Sequence, residues 1–525
     1  MECTCVRQTE LPNASKLFTD LVYHPERVRA FYPHPPQNPE SYVAAAREVN
    51  LSAERRAALV NALREQNGPS ASLDLLAKPE TVAVVTGQQV GLFSGPSYTI
   101  YKALTAAALA RELTHRGIPA VPVFWLATED HDFAEVNHTW VFDAAHRPVK
   151  LEVNGLAGDR QPVGEVHLTS VPLDGLREAL GGFPFGAEIA DRVGQAYMPG
   201  QTMGQAFGAL LRDLLEPFGI LQIDPMAPAV RELAAPIMRE ALEKAPELKR
   251  LVLERNRELN GAGYHAQVHV EDETSFFFLL DNGRRMALRK QNGDYVSSED
   301  RFAPQQLMDR AERLSPNALL RPVVQDSMLP TVAYIGGPAE LAYLAQSEVM
   351  YRALLGRMPV PVHRSGFTVV DQHSRKLMNR YGLCLSDFFH GEQVLRERIS
   401  ASLVPSRLTG VLDETKSAVA QAVQRLEGDL AEFDPTINAA VRKSFSKIAY
   451  QLSKVERKVG REMLARDERA ARDAASLSGL IYPHKHLQER LYSIIPFLAK
   501  HGPGLIGEIA ENIHLECPDH QLLVA

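Results

Sequence analysis

The stretch from Thr81 to Leu126 constrains this chain more than any other. Thr81–Thr86 (TVAVVT) is a short β-branched run that reads as a buried strand, and it leads into a glycine-rich turn from Gly87 to Gly95. Ser97–Arg116 follows as a helix, with Ala106–Ala108 and Leu109 inside it and Gly117 just past its end. Ala120–Leu126 (AVPVFWL) is a second strand. Parallel strands need a crossover between them, so strand, turn, helix and strand together predict a parallel sheet with helices on its faces.

The same alternation returns further on. A helix is expected at Gln201–Leu215 and strands at Ile220–Asp224, Arg321–Gln325, Thr331–Ile335, Val360–His363 and Phe367–Val370, with another helix through Ala339–Leu355. Two looser stretches read as insertions. That at about 145–195 is glycine-rich and expected to be β-rich or irregular; that at about 262–315 holds the strand Phe276–Leu280 and a turn at Asn282-Gly283. The expectation is therefore an α/β fold: one discontinuous parallel-sheet core over about 1–385, carrying two insertions, and a helical region over 386–525.

In that last region Val419, Val423, Leu426, Leu430 and Phe433 step by 4, 3, 4 and 3, and Val441, Phe445, Ile448, Leu452, Val455 and Val459 keep a similar rhythm. Such spacing holds one apolar seam on one face and predicts a coiled coil at about 411–465. Asp434-Pro435 between the runs reads as a cap and first helical position. The second run is basic and the first carries several acids, which favours an antiparallel hairpin. The seam could join two subunits or close a bundle within one.

Charge and composition narrow the class of function. Lys+Arg 57 against Asp+Glu 64 gives a net charge of −7, which argues against a basic coat for nucleic acid. No run approaches the roughly 18 apolar residues of a membrane span, and Met1–Pro12 has no apolar core of a secretory signal. Four cysteines are too few to staple a chain of 525 residues. These features describe a soluble cytoplasmic protein.

Three clusters could carry chemistry. In the first, Thr86, Gly87, Gln88, Gln89, Gly91 and Gly95 lie between a strand and a helix, where backbone amides and the helix dipole favour an anion. Tyr98 and Lys102 follow on the first turns of the helix. Neither a Walker A loop nor a G-x-G-x-x-G fingerprint is present. In the second, Glu129, Asp130, His131 and Asp132 stand at the carboxyl end of a strand, where open parallel sheets bind ligands, with His138 seven residues after His131. Gathering three acids and an imidazole suits a hydroxyl-rich or cationic ligand, a metal or proton transfer. The third comprises Arg321, Gln325, Asp326, Gly336, Gly337, Glu340 and Tyr343; Arg321 could grip a carboxylate or phosphate, or simply pair with a neighbouring acid. A weaker polar group comprises Tyr482, His484, Lys485, Gln488 and Arg490. No H-E-x-x-H or C-x-x-C is present, so no metal site is assigned.

Four segments together resemble one family, the BshC enzymes of bacillithiol synthesis, cysteine-adding ligases. They are Val85–Ala110 (VTGQQVGLFSGPSYTIYKALTAAALA), Pro122–His138 (PVFWLATEDHDFAEVNH), Leu320–Gln346 (LRPVVQDSMLPTVAYIGGPAELAYLAQ) and His486–Tyr492 (HLQERLY). The resemblance runs over essentially the whole chain. It implies a Rossmann-like core, distantly similar to class I aminoacyl-tRNA synthetases, with two connecting insertions and a C-terminal coiled coil that mediates homodimers. Gly95–Tyr101 stands where those synthetases carry His-x-Gly-His, and the histidines are absent here.

The implied reaction joins the carboxyl of L-cysteine to the amine of glucosaminyl-malate, with ATP as co-substrate and magnesium able to accompany it. On that reading Lys102, Asp130, His131 and Asp132 are the catalytic candidates, with Gln88 and Lys102 at the activated carboxyl or phosphate. The carboxylates and His131 would meet the sugar or the amine, and Arg321 would face the malate carboxylates. Two competing readings are a metal-dependent hydrolase or deacetylase using His131, Asp132 and His138, and a non-catalytic nucleotide-binding dimeric scaffold.

Overall fold

The computed structural model describes residues 5–155, 157–431 and 435–525; at 429–431 and 435–439 only the helical backbone is described. Its centre is a sheet of five parallel strands: β1 (Val82–Gln89), β2 (Ala120–Ala127), β3 (Leu221–Ile223), β4 (Thr331–Gly336) and β5 (Val360–His363). Helix α1 (Tyr98–His115) makes the crossover from β1 to β2, and α2 (Pro338–Leu354) that from β4 to β5. Across the sheet the strands lie in the order β5-β4-β1-β2-β3, so the winding direction reverses between β1 and β4. Both faces are covered. Ala83, Val85, Val121, Val123 and Tyr334 pack into one apolar cluster, while Val84, Ala106, Leu109, Val332 and Ile335 pack into another. Burial on both sides explains why these strands read as continuous apolar runs rather than as alternating patterns.

Three local expectations change. Arg321–Gln325 is not a strand: it opens the helix Arg321–Met328, because the Asn317 side chain accepts from the amides of Leu319 and Leu320 (both 3.1 Å) and Pro322 occupies the first turn, where it needs no amide partner. The stretch expected to be β-rich or irregular at about 145–195 contains the helices Leu173–Leu180 and Gly186–Ala196, beside a hairpin of His138–Phe142 and Pro148–Glu152. Phe367–Val370 is indeed a strand (Gly366–Val370) but leaves the main sheet. The chain bends at Arg364-Ser365, and the strand pairs with His520–Val524, which in turn pairs with Cys5–Val6. The second insertion is an antiparallel sheet, in which Thr274–Asp281 and Arg284–Gln291 form a hairpin closed by Asn282 (φ 50) and Gly283 (φ 72).

The helical region contains α3 (Ser406–Ala431) and α4 (Pro435–Arg466), packed on each other. They run antiparallel: Lys416 pairs with Glu456 at 2.6 Å and Arg442 with Glu427 at 3.0 Å, so advancing along one helix means retreating along the other. Val419, Val423, Val441, Phe445, Leu452 and Val459 are half-buried, while Leu426, Ile448 and Val455 are exposed. The expected cap at Asp434, together with the side chains of Leu430 and Phe433, lies outside the described residues.

Where the hairpin turn meets the helices Glu468–Ile481 and Ile495–His501, a buried polar knot forms. His146 Nδ1 lies 2.8 Å from Ser476 Oγ, and its Nε2 accepts from Lys500 at 2.7 Å, while Lys500 also pairs with Asp371. Burial, reinforced by Lys500, lowers the His146 imidazole to about 4. The unfolded chain therefore binds a proton near pH 6.5 that the folded chain refuses until about pH 4, so stability falls as pH drops through that window. We expect the urea midpoint to fall between pH 7 and 4.5, with a shallower fall in His146→Gln; equal slopes would contradict this assignment.

Candidate active site

An open parallel sheet parts its loops where the winding reverses, leaving a crevice outside the carboxyl ends of the strands. Here that crevice, between β1 and β4, is a cavity of about 850 Å³. Thr86 fixes the seam between the two strands by donating its hydroxyl to the Ile335 carbonyl at 2.9 Å. Gly87 stands opposite Trp125 in register, and a Cβ there would lie 2.8 Å from the Trp125 carbonyl oxygen and 2.9 Å from its Cβ. Gly87→Ala is accordingly expected to cost about 1–3 kcal/mol by overpacking, read as a lower denaturation midpoint; an unchanged midpoint would show that β2 yields freely.

On the β4 side the cavity wall is cationic. Lys102, one turn into α1 and 2 % exposed, donates to the Gly87 carbonyl (3.0 Å) and to Gln88 Oε1 (2.9 Å) and forms an ion pair with Glu340. Burial pulls the Lys102 ammonium below its ordinary value. Burial would push the Glu340 carboxyl up, but Lys102 and hydrogen bonds from the Gly337 amide (2.9 Å) and Tyr334 hydroxyl (2.8 Å) hold it down. Tyr334 in turn accepts from Arg321 at 3.2 Å, and Arg321 also donates to Tyr343 (3.1 Å) and Gln325 (2.9 Å). Among the described residues no carboxylate lies within ion-pair distance of Arg321 or of the exposed Arg490, yet both line the cavity. This wall thus carries positive charge that the protein does not neutralise by direct contact.

On the β2 side the wall is acidic but largely spoken for. Glu129 is buried against Arg231 at 3.3 Å. Asp130 accepts from Gln89 (2.6 Å) and from the His131 amide (2.7 Å), with Arg285 at 3.5 Å. Burial would raise its carboxyl, but these partners hold it below the usual value. Arg285 comes from the second insertion, lies over the Phe278 ring at 3.8 Å and is fixed by Ser315 (3.0 Å) and the Pro316 carbonyl (2.9 Å). It also reaches His131 Nδ1 at 3.2 Å. A guanidinium can only donate, so Nδ1 is the acceptor and the neutral ring carries its proton on Nε2. Burial first, then Arg285, lowers the His131 value. Asp132 and Glu135 complete this wall: Asp132 accepts from the Glu135 amide at 3.3 Å, and Glu135 accepts from Gln89 at 2.9 Å.

One cavity therefore gathers Gly87, Gln88, Gln89, Tyr98, Lys102, Glu129, Asp130, His131, Asp132, Arg321, Gly337, Glu340, Tyr343 and, from the weaker cluster, Arg490. The other candidates lie elsewhere. Gly91 and Gly95 belong to a turn packed under the C-terminal segment: Tyr197 donates to the Gly91 carbonyl at 3.1 Å, and Ser97 donates to the Tyr492 carbonyl at 2.7 Å. Gln325 and Asp326 bond each other at 2.9 Å in the interior, and Gly336 ends β4 beneath Leu341. His138 meets Asn137 at 3.1 Å outside the cavity lining. Tyr482 meets the Phe389 ring edge-on and His484 lies tilted against Trp140, while Gln488 bonds the Val369 backbone; these three and Lys485 do not line the cavity. Among the described residues, no group of three or more His, Cys, Asp or Glu side chains could hold a metal ion, so His131, Asp132 and His138 do not form the metal centre of the hydrolase reading.

Arg285, Arg364 and Glu135 also line the cavity, and none of them stood among the residues singled out from the sequence. Arg364 directly follows the carboxyl end of β5, so the strand-end rule could have found it. Arg285 arrives from an insertion and carries no local signal.

Strand order, crevice and charged walls define a Rossmann-like α/β protein with a site at the reversal point. Residues 1–365 match the family model described as bacillithiol biosynthesis BshC, N-terminal Rossmann-like domain, and residues 367–525 match the BshC C-terminal coiled-coil domain. A relative from Solibacter usitatus, named "Putative cysteine ligase BshC", is 59% identical, covering 100% of both chains. Relatives of the same name from Koribacter versatilis (33%, 99% of both chains) and Salinibacter ruber (30%, 97% of this chain and 96% of that one) also match. This chain belongs to the BshC family. A solved chain titled as an arginyl-tRNA synthetase from Campylobacter jejuni aligns over 87% of this chain and 98% of its own at 11% identity with a TM-score of 0.22, too loose to carry weight.

Proposed function

We propose that this protein is an amide-forming ligase that joins the carboxyl of L-cysteine to the amine of glucosaminyl-malate at the expense of ATP, completing bacillithiol. The observation that carries this reading is the pairing of two unlike walls in one crevice: unneutralised cations on the β4 side and hydrogen-bonding acids on the β2 side. A carboxylate is a poor acyl donor because its oxygen is a poor leaving group. ATP supplies a phosphorylated or adenylylated one when bound, and the protein must hold the anions, disperse the developing charge and present the amine.

Lys102 and Arg321 would meet phosphate or carboxylate oxygens, and Gln88 would orient the same group. No Lys or Arg lies within ion-pair distance of Asp132 or Glu135 among the described residues, so these acids suit the amine and the sugar hydroxyls. His131 presents Nε2–H to the crevice as a donor, because its Nδ1 is taken by Arg285. Asp132 is then the better acceptor for the proton that the attacking amine releases. Magnesium would enter with the nucleotide.

The apolar residues left exposed on α3 and α4, Leu426, Ile448 and Val455 among them, favour a homodimer through the hairpin. No helix among the described residues is long and apolar enough to cross a membrane, and a cytoplasmic setting suits the proposed substrates. The activation step is tested with L-cysteine labelled with ¹⁸O in its carboxyl. One label stays in the amide carbonyl; the other should pass to AMP if an adenylate forms, or to phosphate if an acyl-phosphate forms, whereas its release as water beside unlabelled AMP and phosphate would rule out ATP activation of the cysteine carboxyl.

A further inference from the structure

Arg364 forms part of the cavity wall and is only 4 % exposed, and the reaction outlined above assigns it nothing. Its guanidinium is gripped end-on by Glu489, with Nη1 to Oε2 at 2.9 Å and Nη2 to Oε1 at 2.5 Å, while Nη1 also donates to the Ser365 carbonyl at 3.0 Å. Glu489 belongs to the C-terminal region, in the short helix Gln488–Leu491, and its Oε2 takes a further bond from the Phe367 amide at 3.1 Å. Behind it, His520 Nδ1 lies 4.0 Å from Glu489 Oε1, and His520 Nε2 lies 2.9 Å from Thr368 Oγ1. Gly366 lets these groups meet: a Cβ there would fall 2.8 Å from His520 Nδ1 and 3.2 Å from Glu489 Oε2.

A guanidinium has five N–H groups in one plane. Three are spent on Glu489 and Ser365. The two left, on Nε and Nη2, lie side by side on one edge and form a second fork spaced for two oxygens of a carboxylate or phosphate. Nε sits 3.8 Å from where a Cβ on Gly337 would be, next to the amino end of α2, whose first residues also line the cavity. The Tyr98 ring supports the guanidinium at 5.2 Å.

We propose that Glu489, seated by His520 and Thr368, is a positioning residue that aims the free fork of Arg364 at an anionic group of the substrate. The C-terminal region thereby completes the active site that the parallel sheet begins. This deepens the reading above by assigning one wall of the same site to a two-oxygen anion.

The test is calorimetric titration of the full-length protein with glucosaminyl-malate (the carboxylate arm) and, separately, with magnesium-ATP (the phosphate arm). It compares wild type with Glu489→Gln, which keeps the shape but loosens the grip, and Arg364→Lys, which keeps the charge but loses the fork. Both variants are expected to bind one of the two ligands at least tenfold more weakly, and the arm affected names the anion. The other ligand is expected to bind within about threefold of wild type. A merely structural role would lower the melting temperature and leave both affinities unchanged, which overturns the proposal. So does failure of wild type to bind either anion. If either variant does not fold, His520→Gln replaces it, with the same expected direction and a smaller factor. Binding needs no turnover, so a wild type that binds the anion through this fork but forms no product would sink the ligase reading and leave this one standing.

Discussion

Replacing Lys102 with methionine is expected to slow turnover by about 10²–10³-fold and to lower the unfolding free energy by about 3 kcal/mol, the lower end of the range for breaking a buried ion pair. The change strands Glu340 without its cation, although two other hydrogen bonds and access to the cavity soften the loss. It also removes the ammonium that Gly87 and Gln88 hold at the reversal point, where the proposed acyl activation would develop charge; loss of one such donor costs about 10²–10³-fold in rate. The double variant K102M/E340Q separates the two effects. With the carboxylate gone as well, much of the stability should return while activity stays low. A double variant no more stable than K102M, or a single variant with wild-type turnover, contradicts this account of the pair.

Arg321→Met has the next largest expected effect, and it falls on binding rather than on rate. Among the described residues Arg321 hydrogen-bonds only neutral partners, Tyr334, Tyr343 and Gln325, so its charge is available to a ligand. Removing it should cost ~2 kcal/mol or more of binding, which is about a 30-fold rise in KM for the substrate bearing the anion. An interaction made equally in ground and transition states changes KM and spares kcat. A fall in kcat with KM unchanged would instead place Arg321 at the reacting centre.

How much of this was legible beforehand depended on how local the cause was. The unit from β1 through α1 to β2 could be read because buried parallel strands write themselves as unbroken apolar runs. The coiled coil could be read because a seam repeats every three or four residues. Arg321–Met328 misled because Val323-Val324 suggests a strand, whereas the deciding signals, the Asn317 cap and Pro322, lie at its edge. The pairing of Gly366–Val370 with His520–Val524 joins segments about 150 residues apart, and no periodicity reports such a contact.

The site divides along the same line. Glu129–Asp132 and the Gly87–Gln89 strand end announced themselves by position. Gly91 and Gly95, attractive as an anion cradle, instead shape a turn that the C-terminal segment covers. Arg285 and Glu489 act from elements distant in sequence, so only folding brings them into view. Arg285 also takes up Nδ1 of His131, which leaves the neutral ring with Nε2–H as a donor.

The central claim is that the crevice between β1 and β4 condenses an amino acid carboxyl with an amine. It is tested most directly by mass spectrometry of the purified protein incubated with L-cysteine, glucosaminyl-malate and magnesium-ATP under reducing conditions, with nucleotides measured in the same sample. The expected result is a product equal in mass to the two substrates less one water, formed in step with AMP or ADP and about 10²–10³-fold more slowly with K102M. Intact substrates beside untouched ATP would contradict it.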